Sequence, residues 1–524
     1  MPASISFAPR RLSWLLATCV LATPAWAAPW LDSNHQPTLV AQQAVQRLND
    51  AALDGLNPAD YEAARLAAAL KAPSAAQAPQ LEAELTRQVT RYLQHLHSGR
   101  VDPRQLKEDY NGKDATPFDA EGVLQQAWAA NSMQPALHAA TPKAPGYSAV
   151  RQALVRERQL ATHAAWEEPV TAKSLKTVAQ RLEAMGDMKA VDVANVNTAM
   201  TSALQNGVKS FQKRMGLAAN GQLNKATLAA LNQSPLQRAE RLALTLERLR
   251  WTPLEQNSRM IVVNIPEFRL RAYEIQDGKP DVKVNMRVVV GKALDTRTPL
   301  FDEDMTLIEF APYWNVPASI ARKELVPRIQ RDPGYLNRAG FEIVGTGGLE
   351  GVLKGTARLR QKPGPQNALG DIKFVLPNNQ AIYLHHTTAT GLFNRERRDF
   401  SHGCVRVEEP VKLAQFVLQN DPAWTKERIE KAMKANKSST VRLKEPIPVV
   451  LTYMTAIVQG GQPYFFNDVY GHDKSLVNLL SGKKATVAVK PAAKPAAASA
   501  AKPASAKPTT AKPAAKPKAT AASQ

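Results

Sequence analysis

Residues 382–407 read IYLHHTTATGLFNRERRDFSHGCVRV, and this stretch decides how the C-terminal half of the 524-residue chain is read. Three of the nine histidines, His385, His386 and His402, fall within twenty residues of Cys404. In the opening segment Ile382 and Leu384 alternate with Tyr383 and His385, the period of a strand. That phase sets His385 opposite the apolar pair at the strand end, at a rim rather than buried. A thiol is mostly protonated at neutral pH and needs a neighbour to take its proton, usually a histidine. Gly403 permits an unusual backbone angle or a close approach of substrate, and the amides around 402–404 could form an oxyanion hole. Three uses of Cys404 stay open: a nucleophile, a zinc ligand beside the three histidines, or a buried inert thiol. The polar neighbours His402, Arg406, Glu408 and Glu409 argue against the inert use, and HH and HGC are poor chelate spacings for a tetrahedral centre.

Working outward, the segments RMIVVNI, FRLRAYEI, VKVNMRVVVG and MTLIEF are short, β-rich and separated by turn residues, so a mainly β domain begins near Met260. Between YWNVP and LRQKPGPQNALG lies a less regular, partly helical segment, about 318–356, expected to be an inserted lid or substrate-shaping subdomain. Upstream, RAERLALTLERLRW reads as a linking helix. From about Leu39 to Trp166 apolar residues recur at helical spacing: Leu85, Val89, Tyr92, Leu93 and Leu96 share a face, and Gly99 followed by Pro103 is a helix stop. His95 and His97 read as surface or packing residues. Between Val170 and Leu231, Val208, Phe211 and Met215 form one stripe, AANG is a turn, and Asn224 can cap a last helix carrying Leu228 and Leu231.

The ends set the compartment. Arg10 and Arg11 precede an apolar run that closes on Ala25, Trp26 and Ala27, the pattern of a cleaved export signal over 1–27. Lipid attachment at Cys19 fits less well, because Thr18 stands where a smaller residue is expected. Removal of the signal leaves Cys404 without a disulfide partner in the chain. The formal charge is +21, but nine lysines lie in the Lys/Ala/Pro tail past Ser481 and two arginines in the leader, leaving +10 for the body. That balance suits an anionic cell-wall or membrane surface; nucleic acid is not expected behind an export signal, nor is a membrane-spanning segment after it. The tail, 481–524, cannot bury a core and is expected to be disordered.

The stretch 382–407 resembles the L,D-transpeptidase catalytic signature, a histidine at a strand end followed after a loop by Ser-His-Gly-Cys. Similarity to the large periplasmic members of that family continues through IVVNIPEFRLRAYE, MRVVVG, TPLF, PYWNVP, DPGYL and KPGPQNALG, over roughly 238–473. The unit at 170–231 resembles the small three-helix peptidoglycan-binding domain, with Phe211, Gln212, Gly216, Leu217, Gly221 and Thr227 on its motif positions, and departs from it in DMKAVDVANVNTAMTSALQNG. These resemblances imply a multidomain α+β chain: a helical scaffold at 28–169, a peptidoglycan-binding-like domain at 170–236, and a mainly β catalytic domain at 237–480. Cys404 would be the acylated nucleophile and His385 its general base, with Ser401, His402 and Gly403 building the loop and oxyanion hole. Arg406 stands where the wider family commonly has asparagine and would pair with a substrate carboxylate; Tyr383 and His386 flank the base as further substrate contacts. The implied protein is a periplasmic, cell-wall-associated enzyme without metal or cofactor that forms 3→3 cross-links between peptidoglycan stem peptides. Its partners would be stem peptides, glycan and other cell-wall synthesis proteins. The alternatives are lipoprotein attachment or hydrolysis through the same acyl-enzyme, or a non-catalytic cell-wall-binding protein.

Overall fold

The computed structural model describes residues 30–110, 117–254, 259–276, 279–293, 296–435 and 437–482; the proposed signal and nearly all of the basic tail lie outside them. In chain order the strands are β1 Arg259–Asn264, β2 Arg269–Gln276, β3 Lys279–Gly291, β4 Phe301–Phe310, β5 Trp314–Asn315, β6 Phe341–Gly345, β7 Ala357–Gln361, β8 Ile372–Val375, β9 Leu384–His385, β10 Asp399–Ser401, β11 Val405–Val407, β12 Ser439–Thr452, β13 Ala456–Gln459 and β14 Gln462–Phe465.

Nine of them form one sheet in the order β10-β3-β11-β9-β8-β4-β12-β1-β2, and a further β2–β3 pairing closes the sheet on itself. The ring so closed comprises the eight strands from β3 to β2, which lose the exposed edges that an open sheet would have to protect, and β10 is added to β3 outside it. Residues alternate about the ring wall: Ile261, Val263, Leu270, Val288, Val290, Phe374, Leu384, Val405, Val407, Val449 and Leu451 fill the interior. Met260 and Val450 point the other way, into the helical core. β1 and β12 pair in parallel, Ile261 opposite Val449, and are buried on both faces. Their apolar residues therefore run together instead of alternating with polar ones.

The helices expected at the N-terminal end are present. Ala78–Ser98 buries Leu85, Val89, Tyr92, Leu93 and Leu96, and ends at Gly99 with φ +83°. His95 packs rather than projects, accepting or donating at 3.0 Å to the Tyr61 hydroxyl, and burial pushes its pKa down to about 4. Asn224 caps helix Lys225–Leu231 through the Thr227 amide. Where the sequence departs from the three-helix pattern the chain forms the short helix Ala190–Ala194. Helices Leu175–Ala184 and Ser202–Arg214 share one hydrophobic cluster with Met260, Val450, Met454 and Phe465 of the β region. Arg214 donates to the Pro463 carbonyl at 2.8 Å, pinning hairpin β13–β14 to this unit.

Helix Pro235–Trp251 starts in a capping box between Ser234 and Gln237 and runs through the junction of these parts. Four of its charged side chains are buried and paired: Arg238 with Glu157, Arg248 with Asp473, and Arg250 with Glu247. Arg250 also donates to the Leu96 carbonyl and the Tyr147 hydroxyl, while Glu247 accepts from the Val101 amide. Such pairs contribute little over well-packed apolar residues, but loss of one partner strands a buried charge at a cost of about 3–5 kcal/mol.

Between β4 and β8 the chain leaves the ring for a subdomain at 314–361. Here the structure differs from the partly helical, irregular segment expected. β5, β7 and β6 form a three-stranded antiparallel sheet, over which helices pack through Val316, Leu325, Val326, Ile329, Phe341 and Leu359. Strands of two to five residues are too short to display a two-residue period in the sequence.

Candidate active site

β9 lies between β8 and β11, and its short ladder places the candidate residues. It runs parallel to β11, with Leu384 opposite Val405 and His385 opposite Arg406, and antiparallel to β8, with Lys373 opposite His385. Because Leu384, Val405 and Phe374 face the interior, Tyr383, His385, Lys373 and Arg406 stand on the outer face. Tyr383, His385, Ser401, His402, Cys404 and Arg406 line one cavity of about 630 Å³. The inserted subdomain closes its far side with Trp314, Ile320, Lys323 and Glu324.

The Cys404 thiol donates to the Ala381 carbonyl at 3.6 Å. Burial pushes its pKa up, opposed by hydrogen bonds from Tyr383 and by the cations of Lys373 and Arg406. His385 Nδ1 lies 2.5 Å from the His386 carbonyl oxygen, which can only accept. The proton of the neutral ring therefore sits on Nδ1, leaving Nε2 as the basic nitrogen. Burial, and next the Arg406 charge, push the His385 pKa down to about 3. At neutral pH both groups are uncharged, a thiol and a free base.

His385 is only 4% exposed, which corrects the expectation of a rim position. Strand phase identified its face, but that face is covered by the subdomain and by Ala368 and Leu369, segments far from it in sequence. His386 corrects a second expectation: it does not line the cavity. It packs on Gly370, where an added Cβ would come within 2.6 Å of its Nδ1, and faces the Asp371 carboxylate at 3.5 Å.

The Ser-His-Gly-Cys turn is held by Ser401. Its hydroxyl donates to the Cys404 carbonyl at 2.5 Å and accepts from the Gly403 amide at 3.2 Å. The Gly403 amide is thereby occupied, which corrects its place in the expected oxyanion hole. Gly403 itself sits at φ +114°, and its carbonyl accepts from Thr298 Oγ1 at 2.7 Å. A Cβ there would lie 3.1 Å from Ile382 Cδ1, a contact that a small shift of that side chain relieves, so it is the angle that favours glycine. His402 Nε2 meets Glu324 Oε1 of the subdomain at 2.8 Å. The Tyr383 ring lies edge-on to His385, centroids 5.7 Å apart, and under the Lys373 ammonium at 4.7 Å; burial raises its hydroxyl pKa. Arg406 is held below its usual pKa by burial, and its buried Nε has no partner among the described residues.

The four candidate zinc donors are therefore divided, His386 towards Asp371 and His402 towards Glu324. Among the described residues no three His, Cys, Asp or Glu side chains are grouped to hold a metal. Sequence reading passed over Lys373, Glu324 and Asn378. Asn378 ties the turn before β9: its Nδ2 donates to the carbonyls of Leu376 and Ile382, and its Oδ1 accepts from the amides of Gln380 and Ile382. The turn holds Ala381 at φ +55° and so aims its carbonyl at the thiol. The LPNN run at 376–379 was the available signal, since Asn and Pro mark turns of this kind.

Residues 258–425 match the family model described as "L,D-transpeptidase catalytic domain", residues 22–154 the "Scaffold domain", and residues 171–231 the "Putative peptidoglycan binding domain". A protein of Haemophilus influenzae named "Putative L,D-transpeptidase" is 34% identical over 247 residues, covering 45% of this chain and 49% of that relative. The aligned part thus spans about half the length of the relative. No helix among the described residues is long and apolar enough to cross a membrane. The cavity of Cys404 and His385 falls inside the segment that is similar to the L,D-transpeptidase catalytic domain, and the same polypeptide carries segments similar to a scaffold domain and to a putative peptidoglycan-binding domain.

Proposed function

We propose that the protein is a periplasmic L,D-transpeptidase that forms 3→3 peptidoglycan cross-links through a Cys404 thioester, with His385 as general base. The observation that carries this reading is the placement of His385 and Arg406 on paired strands, with Cys404 immediately before β11, about one cavity. Sγ of Cys404 attacks the carbonyl carbon of the third stem residue, diaminopimelate, while His385 Nε2 takes the thiol proton. The developing oxyanion is met by the Cys404 amide, the Gly403 amide being taken by Ser401. Collapse breaks the bond to D-Ala, whose amine leaves with the proton from His385. The amine of a second stem then attacks the thioester, its proton returns through His385 to Sγ, and an amide cross-link remains.

A base with a pKa of about 3 does not form a resting thiolate–imidazolium pair, so proton transfer accompanies attack. Arg406, whose Nε has no partner among the described residues, is the group for a stem carboxylate, and Tyr383 supports the thiol. The proposed organisation is an export signal at 1–27, scaffold at 28–169, peptidoglycan-binding domain at 170–236, catalytic domain at 237–480 with a lid about 318–356, and a basic tail at 481–524. Purified protein incubated with tetrapeptide muropeptides tests the reading by mass spectrometry, beside Cys404→Ala and His385→Ala. Dimers bridged 3→3 and lost in both variants are expected. Tripeptide monomers alone would point to water as acceptor, and no turnover with retained sacculus binding would refute catalysis.

A further inference from the structure

The cavity around Cys404 holds cations beyond Arg406. Lys292, Lys323 and Arg406 line it against a single carboxylate, Glu324, so among the described residues its walls carry two more cations than acids. Lys292 and Lys323 are exposed, and neither side chain is in an ion pair or hydrogen bond among the described residues. They reach the Ser-His-Gly-Cys turn from two sides. Lys292 directly follows β3, and its amide donates to the Ser401 carbonyl at 3.1 Å. Lys323 precedes Glu324, the subdomain residue whose Oε1 meets His402 Nε2 at 2.8 Å. Arg406 belongs to the opposite end, beside His385 across β11 and β9. Cys404 lies two residues after His402 and two before Arg406, so along the chain the thiol stands between two cationic poles.

The second pole is built on an unusual piece of backbone. Lys323 and Glu324 sit on one turn of π-helix, Ala321–Leu325, set between the α-helical turns Ala318–Ile320 and Val326–Arg331. Such turns are rare and gather at functional sites. Glu324 is 51% exposed, and its second oxygen, Oε2, has no hydrogen bond among the described residues. Two free ammonium groups beside one half-used carboxylate match a ligand head that carries a carboxylate and an amine together.

The acyl transfer proposed above uses such a head twice. Departing D-Ala bears its carboxylate on the carbon that holds its amine, and so does the far end of diaminopimelate, whose amine attacks the thioester. The attacking amine enters along the path by which the first amine left, so one cation fixed beside that path serves both. A lysine side chain, by contrast, brings an ammonium with no carboxylate beside it and meets Lys292 and Lys323 as a like charge.

We propose that Lys292 and Lys323 form a carboxylate subsite beside the thiol, which takes the α-amino carboxylate head of D-Ala during acylation and of the acceptor diaminopimelate during cross-linking. Glu324 Oε2 accepts one N–H of the acceptor amine and leaves its lone pair directed at the thioester. The subsite rests on the transpeptidase reading of Cys404 and narrows the acceptor to an amine with a carboxylate on the same carbon. Both lysines set specificity; the bonds made and broken remain those of thioester formation and aminolysis.

The test starts from the full chain acylated on Cys404 by a tetrapeptide whose far-end amine is acetylated, freed of donor and mixed with acceptor; loss of acyl-enzyme is followed by intact-mass spectrometry. The acceptors are a stem with its far-end carboxylate, the same stem with a carboxamide there, and Nα-acetyl-lysinamide. The carboxamide is expected to raise the half-saturating concentration about tenfold, the loss of one charge-assisted contact. Lys323→Gln should raise it about tenfold for the carboxylate stem and little for the carboxamide, and Lys323→Arg should restore most of the loss. Nα-acetyl-lysinamide should be the poorest acceptor. In acylation, donors ending in D-Ala and in D-alaninamide should show the same dependence on Lys323. Equal potency of carboxylate and carboxamide stems in the parent, a Lys323→Gln loss that is the same for both, or Nα-acetyl-lysinamide resolving the thioester as well as the stem would overturn the subsite and leave the thioester chemistry standing. Failure of any acyl-enzyme to form on Cys404 would refute the transpeptidase reading itself, and the subsite with it.

Discussion

Replacing Ser401 with alanine removes one oxygen and tests how the nucleophile turn is held. The hydroxyl is buried at 2% residue exposure and makes two hydrogen bonds, one to the Cys404 carbonyl and one from the Gly403 amide. The carbonyl of Ser401 is used separately, by the Lys292 amide at 3.1 Å and Thr296 Oγ1 at 3.0 Å, and survives the substitution. Two buried backbone groups lose their partner, and each such group costs about 1–3 kcal/mol. Partial relaxation of a turn that already contains a glycine lowers the sum, so a destabilisation of about 2–4 kcal/mol is expected in urea unfolding. The freed Gly403 amide and the loosened Cys404 carbonyl shift the thiol and the Cys404 amide relative to the substrate. Displacements approaching an ångström cost up to about 100-fold in rate, so acylation of Cys404 by tetrapeptide, followed by intact-mass spectrometry, should slow by roughly 10–100-fold. KM should change much less, since Arg406 is untouched. An alanine variant that unfolds at the parent urea concentration and acylates within twofold of the parent would refute the role given to Ser401.

Arg406→Gln removes a cation that lowers both partners' pKa values; the thiol pKa should rise further, alkylation of Cys404 should need higher pH, and KM for carboxylate-bearing stems should increase. His385 and His472 are buried with pKa values held at about 3, below the usual 6.5, so below pH 6.5 the unfolded chain binds more protons than the folded one. Stability should therefore be full above pH 6.5 and fall as pH drops towards 3, and His472→Asn should flatten that slope in urea titrations between pH 7 and 4. Arg250→Met strands the Glu247 carboxylate and should cost about 3–5 kcal/mol, most of it recovered when Glu247→Leu is added. Ala381→Gly relieves the φ of +55° and should leave stability unchanged or raised by up to about 1 kcal/mol, whereas Asn378→Ala should slow acylation.

Much of this architecture is legible in the chain, and the misses share a cause. Strands β2 and β3 and the helix at 78–98 follow local periods that one face of burial imposes. β12 escaped notice because Lys444, Glu445 and two prolines break its pattern, and the structure accommodates them with a register shift between Arg442 and Ile447. At the site, strand phase separates His385 from His386, and only His385 reaches the cavity wall. Its depth was not legible, because the cover is supplied by residues such as Trp314 and Ile320. The engagement of the Gly403 amide depends on a serine rotamer, which no spacing encodes.

The late strand β12 also bears on how the protein is made. It enters between β4 and β1, about 190 residues after β1 begins, and brings Val449 and Leu451 to one core and Val450 to the other. Until residue 452 has emerged, both neighbouring strands present unpaired edges, and neither hydrophobic cluster is complete. A pairing so distant in sequence closes slowly. A chain halted at 425, where the catalytic family match ends, would keep Cys404 and His385 yet remain an open sheet prone to self-association. Maturation of this protein is thus set by a strand that lies beyond the matched catalytic segment, and that segment on its own is not a portable unit.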